Sequence, residues 1–111
     1  MHIYGIKNCN SVKKAFDWLA SKNMDYTFHD FKKEGLSEAK LKEWVSAVGW
    51  EALLNKRGTT WRKISKEDQE RILDADTAVT FMLENTSAIK RPVVETTNKV
   101  YVGLDPEFFK A

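Results

Sequence analysis

A single cysteine, Cys9, occurs in 111 residues. One thiol cannot close an internal disulfide, so no covalent framework is available and a reducing cytoplasm is the expected setting. No charged-then-apolar leader is present, and no apolar run approaches the roughly 20 residues that span a bilayer, so no membrane association is expected. Charge of one sign is also scarce. Eighteen basic residues stand against 16 acidic ones, for a formal net charge of +2, too small and too dispersed to argue for a nucleic-acid partner. The isoelectric point near 8.6 leaves small anions as ligands. Internal repeats and low-complexity segments are absent. With 42% hydrophobic and 31% charged residues, the chain has the composition of one compact domain that buries a core without staples, and a monomer is expected.

Residues 2–6 are apolar and β-favouring and stop at the turn-prone Lys7-Asn8, which reads as a short buried strand delivering Cys9. Val12, Ala15, Phe16 and Leu19 then recur at three- and four-residue steps, the stripe of a helix that Asn8, Asn10 or Ser11 would cap. The aromatic run 25–31 reads as a second strand, and a strand, helix and strand in succession suggest a parallel, right-handed βαβ unit. Lys32-Lys33-Glu34-Gly35 breaks that pattern. Ser37 opens a helix with Leu41, Trp44, Val45 and Val48 inward, and Gly49 closes it. Residues 50–54 suit a helical turn, and 55–63 form a basic loop without a core-like period. Ser65 with Asp68 resembles a capping box before a helix that turns Ile72 and Leu73 inward. Val79, Met82 and Leu83 mark one more helix. A hairpin follows, 93–96 turning at Asn98 into 100–102, and Asp105-Pro106 is expected to open a short terminal helix carrying Phe108 and Phe109.

The strand-to-helix junction is where unpaired backbone N–H groups and the positive end of a helix dipole converge, and both favour a thiolate. Lys7, Lys13 and Lys14 add positive charge, so Cys9 is expected to have a depressed pKa and to act as a nucleophile. Cysteine is also a common small core residue, but its position at the junction favours the reactive role. A dithiol motif would need a second cysteine where Val12 stands. Any cycle at Cys9 is therefore a monothiol cycle closed by an outside thiol, most simply glutathione or another protein's cysteine. Arg91-Pro92 at the entrance of a strand is a candidate cis peptide. Arg91 is either a forked donor for a carboxylate or oxyanion, or a solvated side chain. The loop 56–63 reads by itself as a basic surface turn with Trp61 packed beneath. His2 and His29 lack metal-ligand spacing, and no metal is expected.

The stretches YGIKNCNSVKKA, WEALLNKRGTTWRK and IKRPVV, in this order, resemble the ArsC/Spx family, and within it the YffB-type ArsC family reductases. The resemblance covers nearly the whole chain and implies a thioredoxin-like α/β fold. In that fold a mixed four-stranded sheet carries a helical insert, at about 35–88, between its second and third strands. It also implies a glutathione-dependent thiol/disulfide reductase with glutathione as co-substrate, no bound cofactor, and a glutaredoxin-type protein as a second candidate partner. The family's catalytic cysteine falls on Cys9, and its arginine before a cis-proline falls on Arg91 with Pro92. Lys7, Asn8, Asn10 and Ser11 around the thiol, together with Lys56, Arg57, Arg62 and Pro92, are the implied substrate-binding residues. In arsenate reductases proper, one substrate-binding arginine aligns at Asn55 and another near Val102 and Gly103, and neither is present here. Arsenate reduction proper and an Spx-like regulator that contacts RNA polymerase are the other implied readings, but the Cys-x-x-Cys switch of the Spx regulators is lost at Val12.

Overall fold

A computed structural model describes residues 1–110 of the chain. These fall into two compact units, 1–35 with 91 onward, and 36–90. In the first, β1 (His2–Gly5), α1 (Asn10–Ser21), β2 (Thr27–Asp30) and α2 (Phe31–Glu34) are followed, after the second unit, by β3 (Val93–Glu95) and β4 (Val100–Val102). The strands form one sheet in the order β2-β1-β3-β4. β1 runs parallel to β2 and antiparallel to β3, and β3 pairs antiparallel with β4. This is the thioredoxin-like arrangement.

The alternation of side chains along a strand separates two faces. Ile3, Phe28, Val94 and Tyr101 are in register with one another across the four strands. They share one core with Leu19, Phe16 and Trp18 of α1. Val12, Ala15 and Leu19, at the predicted helical spacing, are fully buried. The expected helix at Asp105-Pro106 is instead a single turn. The Asp105 carboxylate accepts from the Glu107 N–H and its carbonyl from the Phe108 and Phe109 N–H groups. Trp18 Nε1 then donates to the Lys110 carbonyl at 2.7 Å, while Phe108 and Phe109 pack on the Trp18 ring. Ring packing therefore directs this segment rather than helical propensity.

The second unit is all helical: α3 (Glu38–Val48), α4 (Trp50–Leu53), α5 (Thr59–Lys63), α6 (Lys66–Glu70), α7 (Ala75–Glu84) and a 3₁₀ turn (Thr86–Ala88). Its buried residues include Leu41, Trp44, Leu53, Leu54, Ala78, Val79, Met82 and Ile89. The segment after α4 is joined to the end of the unit by the Leu54–Ile89 bridge and by bonds from Asn55 N–H to Ala88 and from Lys90 N–H to Leu53. Ser37 and Ser65 cap α3 and α6 as their spacing predicts. Two expectations fail here. The basic stretch contains a helical turn, α5, which Thr60 anchors by a 2.6 Å hydroxyl bond to Ser87. Leu73 is 75% exposed rather than inward, because α6 ends at Glu70 and Asp74, in a capping box with Thr77, starts a new helix.

Candidate functional site around Cys9

The end of β1 is the geometric origin of the site. Tyr4 pairs with Val93, so continuing the register brings the start of β3 alongside Gly5. The Arg91–Pro92 peptide is cis, as expected, and Pro92 is fully buried. A Cβ built on Gly5 would stand 2.8 Å from Val12 Cγ2 and 3.8 Å from Arg91 Cβ. Only glycine lets the first turn of α1 and the approach to β3 close on the same point. A glycine inside an apolar strand pattern is the one local signal for such an approach, and sequence reasoning missed its importance. Gly5→Ala should cost about 1–3 kcal/mol by overpacking against the stiff, β-branched Val12. It should also slow Cys9 alkylation, as measured by urea unfolding and by rates with a haloacetamide. Unchanged values in both would remove this role.

The residue that caps α1 is Cys9 itself, with β-region backbone angles of φ −109° and ψ 130°, and not Asn8, Asn10 or Ser11. Its side chain makes no conventional capping hydrogen bond. Partial burial pushes the thiol pKa up. That effect is outweighed by the Val12 N–H, by hydrogen bonding from Arg91, by the Ser11 N–H and by the positive charge of Arg91, so the net shift is below the ordinary thiol value. Ser11 and Val12 are the second and third residues of the helix, where a cap's acceptor receives its bonds. No acidic residue stands in the first turn to oppose the anion. The pKa is lowered less by the lysines of the loop than by two backbone donors and one guanidinium.

Lys7, Asn8, Cys9, Asn10, Lys13 and Phe16 line a shallow cleft of about 410 Å³ at the thiol. The predicted residues Lys7, Asn8 and Asn10 are thus gathered around Cys9. Ser11 acts through its backbone, and Lys13 and Phe16 join the lining. The predicted residues Lys56, Arg57 and Arg62 lie in the helical unit, and Pro92 in the first unit. Lys56 and Arg57 line, with Glu51, Leu54, Asn55 and Lys90, a cleft of about 390 Å³. Lys56 Nζ stands 5.9 Å from the Trp50 ring centroid and 5.5 Å from that of Trp61. Arg62 is exposed on α5 and is not part of that lining. Asn55 has a structural task, accepting the Arg57 N–H at 3.1 Å.

The ArsC family model matches residues 4–111. Among solved structures, the YffB protein is 39% identical, with a TM-score of 0.91 over 97% of this chain and 94% of that one. An arsenate reductase (ArsC) related protein from Brucella melitensis is 45% identical, with a TM-score of 0.80 over 99% of this chain and 94% of that one. The global transcriptional regulator Spx of Lactiplantibacillus plantarum is 22% identical over 95% of this chain and 80% of its own length. With the family match running from within β1 through the described end of the chain, and with relatives of this identity spanning nearly all of it, the protein belongs to the ArsC family.

Proposed function

We propose that the protein is a glutathione-dependent thiol reductase, arsenate-reductase-like in ancestry, in which Cys9 is the sole nucleophile and Arg91 orients the anionic substrate. The observation that carries this reading is the Cys9 thiol at the N-terminus of α1, its pKa held below the ordinary thiol value by the Val12 and Ser11 N–H groups and Arg91. The Cys9 thiolate attacks the glutathione sulfur of a mixed disulfide, forming a Cys9–glutathione disulfide and breaking the substrate S–S bond. The departing substrate thiolate takes a proton from solvent. A second glutathione thiolate then attacks the glutathione sulfur of the adduct, producing oxidised glutathione and returning the Cys9 thiolate. Overall one mixed disulfide and one glutathione give one free thiol and one oxidised glutathione. Lys7 and Lys13 beside the thiol suit the carboxylates of glutathione. Val12, fully buried against the end of β1, leaves no position for a resolving thiol at the spacing of a dithiol motif.

The expected result is a single glutathione adduct by intact mass after incubation with oxidised glutathione, absent in Cys9→Ser. Alkylation should follow a pH profile whose midpoint lies below about 8.5, the free-thiol value. No adduct and an unshifted midpoint would sink the proposal. The likeness to Spx supports a second reading, a binding module. That reading predicts that RNA polymerase is retained equally by wild type and Cys9→Ser, with no thiol turnover.

A further inference from the structure

The face of the sheet opposite α1 carries a polar cluster that the Cys9 chemistry does not use. His2 and Tyr4 of β1 share that face with His29 of β2 and Glu95 of β3, since Tyr4 is in register with His29 and His2 with Glu95. His2 Nδ1 and His29 Nε2 stand 2.8 Å apart. On its other side, His29 Nδ1 is 3.0 Å from Glu34 Oε1. The Tyr4 ring stacks on His29 at 4.5 Å with an interplanar angle of 14°, and the Tyr4 hydroxyl donates to Glu95 at 3.1 Å. Two imidazoles 27 positions apart in the chain are thus brought nitrogen to nitrogen, and one of them is fixed by a carboxylate and by a stacked ring. No group of three or more His, Cys, Asp or Glu side chains with metal-binding geometry occurs among the described residues, so any ion here would rest on two imidazoles and solvent.

We infer that His2 and His29 form a two-histidine chelate for a borderline divalent cation of the zinc class, with Glu34 as the carboxylate that orients His29. A carboxylate accepts only, so His29 Nδ1 carries its proton toward Glu34 and Nε2 presents a bare lone pair. This is the carboxylate–histidine arrangement that sets ring orientation and ligand basicity at metal sites. His2 donates from Nδ1 in the ion-free pair and, being exposed, moves that proton to Nε2 to bind, at no net change of charge. The ion takes the place of the shared proton. Two nitrogens each about 2.0–2.1 Å from a tetrahedral ion stand about 3.3 Å apart, so the rings separate by roughly half an ångström. Imidazole donors suit zinc, copper and nickel, and water completes the shell. The inference is independent of the proposed reductase activity.

The test is a zinc chloride titration of the full-length Cys9→Ser protein at pH 7.5, the substitution removing the competing thiolate, followed by the imidazole NMR signals of both histidines. Saturation at one ion per chain with both rings shifting is the expected result. His2→Ala and His29→Ala should each weaken binding at least tenfold, and Glu34→Gln roughly tenfold, the lower end of the effect of losing an outer partner. His2 is exposed, so His2→Ala tests the site without endangering the fold. Ring signals that do not move at millimolar zinc, or an affinity that changes less than threefold in His2→Ala, would overturn the inference.

Discussion

Arg91→Ala lowers the alkylation rate of Cys9 at pH 7 by roughly tenfold and moves the midpoint of its pH profile upward. The sign follows from the forces on the thiol. Burial alone raises the pKa, and the donors that outweigh it are the Val12 and Ser11 N–H groups and Arg91. Removing Arg91 leaves the burial effect in place and deletes both a hydrogen bond to the anion and a positive charge. A hydrogen bond to a charged group contributes about 1.5–3 kcal/mol. Cys9 is only partly buried, so solvent screening favours the lower end of that range, and about 1.4 kcal/mol is tenfold in the thiolate population. Turnover with a glutathione mixed disulfide should fall further, about a hundredfold, because Arg91 is proposed also to hold the substrate. Arg91→Lys should restore part of the thiolate population through its charge but less of the turnover, since an ammonium lacks the forked donor geometry. Equal alkylation profiles for wild type and Arg91→Ala would separate Arg91 from the thiol.

Trp44→Ala is expected to cost about 3–5 kcal/mol in urea unfolding, the range for deleting a large aromatic side chain from a core. Trp44 is fully buried on α3, in the helical unit. The other buried side chains of that unit are aliphatic or small, and α4, α5 and α6 are each five residues or fewer. Helices of that length do not hold themselves together by backbone bonding, so the unit depends on its buried side chains, and Trp44 is the largest of them. A loss under about 1 kcal/mol would mean that neighbours collapse into the space, contrary to this reading.

The two departures from the arginine set of arsenate reductases acquire a structural sense. Asn55 accepts the Arg57 N–H and its amide lies 2.8 Å from where a Gly58 Cβ would be, so it shapes the basic turn. Val102 is paired with Val93 in the sheet. Neither position supplies a charged anion ligand, which supports a glutathione mixed disulfide over an oxyanion as the proposed substrate.

What the sequence determines by itself is local: the spacing of Val12, Ala15 and Leu19 that makes α1, the β-favouring run that makes β1, and the caps at Ser37 and Ser65. The thiol at the junction of β1 and α1 and the absence of a second cysteine are equally plain, and they limit the proposed chemistry to one sulfur. These features depend on residues within a turn or two of each other, where periodicity carries the information. Even so, the local signal misplaced the cap of α1, because a thiol is not among the usual capping side chains. It also missed the end of α6, where Asp74 restarts the helix. Only the tertiary structure decides that β1 lies between β2 and β3. That pairing brings Arg91 to Cys9, fits Gly5 between Val12 and Arg91, and sets His29 against His2. Each brings together segments far apart in the chain, through sheet order and register, and no pattern of neighbouring residues encodes it.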